Sequence, residues 1–554
     1  MIIDARTLPN RTVVETEICI IGAGPAGITL AREFDSQKFR VVLLEGGGLA
    51  YDRAGQALYR GENIGLAYED LDEMRSRYFG GSSNCWGGFC RPLDPHDFET
   101  REWVPNSGWP FQRDELLPYY RRAQSVLQLG RFEYDPRQWE AWANRPDARF
   151  LPFDRNRAVS LVAQLSPPTR FGQIYGREIA RSANVTAFLN ANVTEIETPG
   201  HGRTVTGLQV RTLAGRAFQV VAKTYILATG GVENARLLLV SNRYQAGGVG
   251  NQNDVVGRYF MDHPRIHCST IAFNDPKSFG KAYDLHVAFT GGMLANGTKI
   301  SGFFGLSPET QRAERVANVR CYALSRFLGD NGNSYSALKQ LYQIRHRPNM
   351  LRRRYRSAVA DAIGNLPNIA ILALGLKFKP RLLARGFTLE TVVEPSPLPE
   401  SRVTLGSERD ALGLRQVKVD WRVGELEKRT VRRMHEILGE EMERIGAGTV
   451  KVQAPNEGDP WPDTLNGCWH HMGTTRMHTD PRYGVVDPTC RVHGMENLFI
   501  AGSSVFPTCG SDMPTLTITA LALRLADHVK ALFNERAAWD HAPSLPAETR
   551  QAVA

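Results

Sequence analysis

Apolar residues cluster in short unbroken runs where the chain predicts buried strands, and they recur at helical spacing between those runs. Residues 14–21 end in Ile18-Cys19-Ile20-Ile21 and pass directly into Gly22-Ala23-Gly24-Pro25-Ala26-Gly27, followed by a helical pattern over 28–34. A second strand, 39–44, ends at Glu45. Two later runs read as strands returning to the same sheet. One is 193–196, beginning at Val193, before a glycine-rich hairpin; the other is 224–228, entering Thr229-Gly230-Gly231 and a helix over 232–239. A last buried run, 498–501, meets Gly502-Ser503 ahead of a helix opened by Pro514. Strict alternation over 401–405 and 415–423 predicts antiparallel strands instead, capped by a long helix over 425–445. The expected fold is therefore α/β. A discontinuous cofactor domain takes 1–96, 181–265 and 485–540, and a second α+β domain on an antiparallel sheet takes 97–180 and 266–484.

The first turn carries a specific chemistry. Glycines at 22, 24 and 27 allow a tight turn and close backbone approach to a pyrophosphate, and the helix that follows offers free N–H groups and a positive dipole end. Glu45 stands eighteen residues beyond Gly27, where an acid takes ribose hydroxyls, and Gly46 follows it. Strand, turn, helix and acid in register predict a bound dinucleotide.

Composition narrows the picture. Of 554 residues, 42% are hydrophobic and 23% charged, as in a folded globular chain. No basic leader with an apolar run opens the sequence, and no apolar stretch reaches eighteen residues, so a cytoplasmic protein is expected. Eight cysteines without metal-binding spacing predict reduced thiols and no metal site. The net charge of +9 is local. Residues 331–385 hold eleven Lys or Arg against a single acid, Asp361, and read as a basic helical insertion. Such a stretch can dock an acidic partner or lie over a cleft; without a stacking pattern or a nucleic-acid module, nucleic acid is not expected.

Several further motifs, taken in order with GAGPAG and Glu45, resemble the glucose–methanol–choline (GMC) family of flavin oxidoreductases. They are FGGSSNCWGGFCRPLDPHDFE at 79–99, SGWPF at 107–111, ATGGVENARLLL at 228–239, GRYFMDHP at 257–264, ESRVTLGSERDALGLRQVKVDW at 400–421, and the tail from WHHMGTTRM at 469 onward. The wording is most similar to the bacterial branch with sugar dehydrogenases and pyranose oxidases. The resemblance implies a Rossmann-like domain holding FAD, with the flavin ring at the junction of the two domains. It assigns Gly81, Ser82, Ser83, Asn84, Cys85 and Gly88 to a loop against the ring, and Pro514, Thr515 and Leu516 to a helix start facing its pyrimidine end. Some relatives attach the flavin through a histidine in that loop. The matching position here is Cys85, and non-covalent FAD is expected.

The same resemblance places the catalytic base at His470, with His471 as the alternative, taking a hydroxyl proton while hydride passes to flavin N5. The family's second active-site residue, His or Asn, is replaced by Met513, which offers neither a strong hydrogen bond nor a proton. Three readings stay open: Asp512 supplies the missing acceptor, His470 suffices beside an apolar Met513, or hydride leaves an already activated carbon. The expected function is oxidation of a CH–OH group of a sugar, glycoside or other secondary metabolite. Oxygen, a quinone or an electron-transfer protein would reoxidise the flavin. A redox-silent lyase on the same fold is the competing reading.

Overall fold

Strands from the start, middle and end of the chain lie side by side in a computed structural model. It describes residues 1–147, 149–200, 202–290, 293–327, 363, 366–378 and 384–540. Val13–Ile21 pairs in parallel with Val41–Leu44 on one side and Ala217–Leu227 on the other. Val185–Leu189 and Ile2–Asp4 extend one edge in parallel. On the other edge, Leu498–Ile500 joins the end of Ala217–Leu227 in parallel, while its start takes up the antiparallel hairpin Asn192–Glu197/Gly207–Arg211. Ile18, Cys19, Ile20 and Ile21 are all buried, as a parallel strand covered on both faces requires. The helices Pro25–Glu33, Arg113–Val126 and Thr515–Asp540 pack together against this sheet.

A second sheet is antiparallel throughout. Its path runs Gly448–Lys451, Pro264–Phe273, Ala384–Val393, Val319–Phe327, Thr298–Leu306, Ala158–Leu165 and Phe89–Cys90, with Met293–Ala295 and Asn466–Gly467 paired at its margins. The helix Glu425–Arg444 covers one face, burying Val431, Met434, Ile437, Leu438 and Met442 against Val319, Cys321 and Ala323. Alternation sends the intervening residues, Arg320 and Tyr322, to the opposite face.

Two expectations change. The alternating stretches at 401–405 and 415–423 do not enter the large antiparallel sheet. Arg402–Arg409 and Arg415–Asp420 pair with each other, and the latter lies parallel to Gly61–Asn63. Val403, Val417, Val419 and Trp421 form their own small core with Val232 and Phe260. The segment 97–180 also divides. Its strand Ala158–Leu165 belongs to the second sheet, whereas Leu116 and Tyr120 of one helix and Phe171 and Tyr175 of another pack into the first core. Apart from 363, 366–378 and 384–385, the basic stretch 331–385 lies outside the described residues.

One buried ion pair fastens the two sheets' connecting segments. Arg101 Nη1 and Nη2 donate to Glu394 Oε2 and Oε1 at 2.8 and 2.6 Å, with the side chains 3% and 0% exposed. Removing one partner leaves a buried charge uncompensated, which costs about 3–5 kcal/mol. Arg101→Met is therefore expected to lower unfolding stability by about that amount. A denaturant titration showing a loss below about 1 kcal/mol would contradict this role.

Candidate active site

A cavity of about 670 Å³ runs between the two sheets and is lined by residues from both ends of the chain. At its inner end the first glycine turn presses the helix onto the sheet. Gly22 has φ 105°, and a Cβ there would sit 2.6 Å from Ala228 O; a Cβ on Gly27 would sit 1.8 Å from Gly22 O. Gly27 thus packs the turn without lining the cavity. Gly24, Gly230 and Gly502 do line it, and each has open space where a Cβ would stand. Bare backbone therefore faces the cavity at three sequence-distant points, a cradle suited to a dinucleotide's phosphates and ribose. Glu45 Oε2 accepts from Ala23 N at 3.0 Å and Oε1 from Gly47 N at 2.8 Å, which fixes the carboxylate at the wall. His471 Nε2 adds a second sign of a polar ligand: it is buried at the cavity without a partner among the described residues. These groups fit FAD.

Most residues expected at the cofactor meet at this cavity: Pro25, Ala26, Gly46 and Val193 at one end, Ser82, Ser83, Cys85 and Gly88 further along, and Thr229, Ser503, Pro514 and Thr515. Gly81 lines it too. Asn84 and Leu516 do not. Asn84 Nδ2 donates inward to Phe79 O at 3.0 Å, and Leu516 is fully buried in the first core.

His470 reaches the cavity through an unusual piece of backbone. Met261 and Met472 form an antiparallel bridge, exchanging N–H···O bonds of 3.0 and 2.9 Å, so the segments carrying His263 and His470 run together. The Asp262 carboxylate then accepts from the backbone N–H of Cys468, Trp469 and His470 at 3.2, 2.9 and 2.8 Å and from the Tyr68 hydroxyl. Those bonds hold Trp469 at φ 65°, a costly conformation for a bulky residue. Burial raises the Asp262 carboxyl to about 6 against the pull of these donors.

The hydrogen bonds assign the protons. Gly510 O can only accept, so His263 donates to it from Nε2 at 2.9 Å. Burial and Arg320 push His263 down to about 3, so the ring is neutral and its Nδ1 is an acceptor. His470 accordingly donates from Nδ1 to His263 Nδ1 at 2.9 Å, leaving an unprotonated Nε2 on a ring that lines the cavity. Burial, with His263 and Arg320 nearby, holds the His470 imidazole well below the ordinary histidine range. His471 is different. It stacks on Phe260 at 5.8 Å, its carbonyl accepts from Ser503 Oγ at 2.7 Å, and burial pushes it to about 3.

Met513 lines the cavity with Phe89 and Leu285, in an apolar cluster that includes Tyr322. Asp512 does not reach it. Its side chain is 2% exposed and Oδ2 accepts from Arg91 Nε at 3.1 Å, so it is a buried counter-ion and not a substitute for the missing His or Asn. Sequence reasoning missed Asp262 and His263, although both stand in the quoted GRYFMDHP motif. It also missed Arg265, Arg320 and Tyr322, whose placement depends on strand register. Replacing Asp262 by Ala frees three backbone donors and is expected to slow substrate-dependent bleaching of bound flavin by about 100-fold or more. Stopped-flow bleaching at the native rate would remove Asp262 from this role.

The comparisons agree with the geometry. A family model described as GMC oxidoreductase matches residues 397–522, and one described as FAD dependent oxidoreductase matches 17–249. The fructose dehydrogenase large subunit of Gluconobacter japonicus is 26% identical over 364 residues, covering 65% of this chain and 56% of that protein. The 6'''-hydroxyparomomycin C oxidase of Streptomyces lividus is 24% identical over 93% of this chain and 92% of its own length. A crystal structure of formate oxidase shares the fold with a TM-score of 0.55 at 17% identity, covering 95% of this chain and all of that one. Over these matched segments the chain is similar to GMC-type FAD-dependent oxidoreductases.

Proposed function

We propose that the chain oxidises a CH–OH group of a sugar, glycoside or related polyhydroxylated metabolite, with His470 as the base. The observation that carries this reading is His470 itself, a ring that lines the cavity and whose Nδ1 is engaged by His263, which leaves Nε2 unprotonated. Relatives named as a fructose dehydrogenase large subunit and a 6'''-hydroxyparomomycin C oxidase support the substrate class. FAD held in the cradle by the glycine turn, Glu45, Gly230 and Gly502 would supply the two-electron acceptor for the carbinol hydride. His470 takes the hydroxyl proton on Nε2, and His263 keeps the ring in the tautomer that can do so. Met513, Phe89 and Leu285 offer an apolar surface to the substrate's carbon face. One base on a fixed ring, beside an apolar wall, is the arrangement favoured here, since Asp512 is held by Arg91.

His470→Ala is expected to lower the anaerobic rate of flavin bleaching by about 10²–10⁴-fold while FAD stays bound. The base works in its neutral form, and its folded pKa lies well below 6.5. Activity should therefore persist as pH falls through 6.5 and fail only below that lower folded value. An acid limb in kcat/KM at 6.5 or higher, or an unchanged rate in the variant, would overturn the assignment. A lyase would turn over substrate without bleaching.

FAD is proposed to be non-covalent. The Cys85 thiol donates to Ser82 O at 3.3 Å and accepts from Ser76 Oγ at 3.4 Å. Acid precipitation is expected to leave colourless polypeptide of unmodified mass and yellow supernatant; colour retained in the pellet would reverse this.

A further inference from the structure

Other buried arginines among the described residues donate hydrogen bonds, although Arg77, Arg101 and Arg476 each also leave Nε unpaired. Arg101 is clamped by Glu394, Arg236 by Asp410, Glu233 and two carbonyls, and Arg75 by Glu233 and two carbonyls. Arg320 and Arg265 break that pattern. Neither donates a hydrogen bond to any described residue. Arg320 Nε and Nη1 and Arg265 Nε are buried without partners among the described residues, and both residues line the cavity. The Arg320 side chain is only 3% exposed. Its nearest acid, Asp512, has Oδ1 3.7 Å from Arg320 Nη1, beyond hydrogen-bond reach, and its other oxygen is taken by Arg91. A buried guanidinium with an ion-pair partner at 3.7 Å but no hydrogen-bond acceptor is incompletely satisfied, and its position suits a ligand that completes it.

Register places both groups with respect to His470. One row across the second sheet reads Gly305, Arg320, Val392, Arg265 and Asn466. The two arginine backbones are thus two strand spacings apart, about 10 Å, flanking Val392. Gly305 contributes no side chain on the far side of Arg320. Arg265 follows His263 by two residues, and His263 carries the hydrogen bond to His470. The next row holds His267, Glu390 and Tyr322, with His267 Nε2 2.7 Å from Glu390 Oε2 and the Tyr322 hydroxyl buried without a partner. Arg320, Arg265, Tyr322 and Asn466 therefore line the same cavity as His470, together with the Glu390 carboxylate that His267 pairs.

We propose that the substrate is an anion, a polyhydroxylated carboxylate of the sugar-acid type. Its carboxylate is held by Arg320 with Arg265 alongside, and its CH–OH group is presented to His470. This rests on the oxidation of a carbinol proposed above and names the class of alcohol. The planar fork of a guanidinium matches a carboxylate by two parallel hydrogen bonds. The carboxylate is the anchor and undergoes no change.

The test uses FAD-loaded enzyme under anaerobic conditions with matched compounds: an aldose, its aldonic and uronic acids, the methyl esters of those acids, and the corresponding sugar phosphate. Flavin bleaching is followed for each. The acids are expected to show a KM about 100-fold below that of their esters and the parent sugar. Arg320→Ala should raise the KM for the acid by about 100-fold and erase the preference of acid over ester, and Arg320→Lys should retain part of it. Because the wild-type panel needs no variant, a poorly folding Arg320→Ala leaves the comparison intact. Equal KM values for sugar, ester and acid would overturn the proposal, and tightest use of the phosphate would overturn the carboxylate assignment. If neutral sugars bleach the flavin and acids do so no better, the anion inference alone fails. If an acid binds the oxidised enzyme, seen as a shift in the flavin spectrum, but nothing in the panel bleaches it, the oxidation reading fails.

Discussion

A single buried carboxylate, Glu394, ties together four segments that the sequence keeps far apart. It accepts from both terminal nitrogens of Arg101, from Asn318 N at 3.0 Å and from Gly510 N at 3.2 Å. Gly510 in turn gives its carbonyl to His263, so one residue is anchored to the acid through its N–H and to the histidine relay through its C=O. A carboxylate at 0% exposure is tolerable only when its lone pairs are filled, and here strongly polar donors fill them. The orientation of His470 is thus a remote result of an ion pair that never touches the cavity.

The parts of the molecule that were legible in the sequence are those governed by local rules. Gly22 to Gly27, Glu45 and the run at 498–501 announce themselves because a strand, a turn of forced geometry and a helix must follow each other at fixed spacing. Alternation marks the stretches at 401–405 and 415–423 as strands and leads to their expected place in the large antiparallel sheet; it cannot reveal that they pair with each other and with Gly61–Asn63 in a separate small sheet. The helices Arg113–Val126 and Phe171–Arg181 fell on the wrong side of the expected boundary. Amphipathic periodicity identifies a buried face without identifying what buries it.

The same limit applies at the cavity. His470 could be found because its neighbours Gly473 and Thr474 form a motif, whereas His263, 207 residues earlier, has no local signature of partnership. Arg320 is similar. Only the register of Val319–Phe327 against Ala384–Val393 sends it to the cavity face while Cys321 enters the core behind. Asp512 misled in the opposite direction. Adjacency to Met513 suggested a shared site, but the backbone turns successive side chains apart, and Arg91 claims the acid.

The strand Leu498–Ile500 has a consequence for biogenesis. It is the last strand of the parallel sheet, it pairs with Ala217–Leu227, and the helix after it packs over the first turn's helix. During synthesis the apolar edge it covers emerges some 270 residues earlier than its cover. At about 5–20 residues per second, that edge stays open for tens of seconds on the ribosome. An unpaired, buried-type strand edge is a template for the wrong neighbour. Until the tail is made, the end of Ala217–Leu227 lacks its native neighbour on that side, and the chain's maturation is a wait for its own last strand.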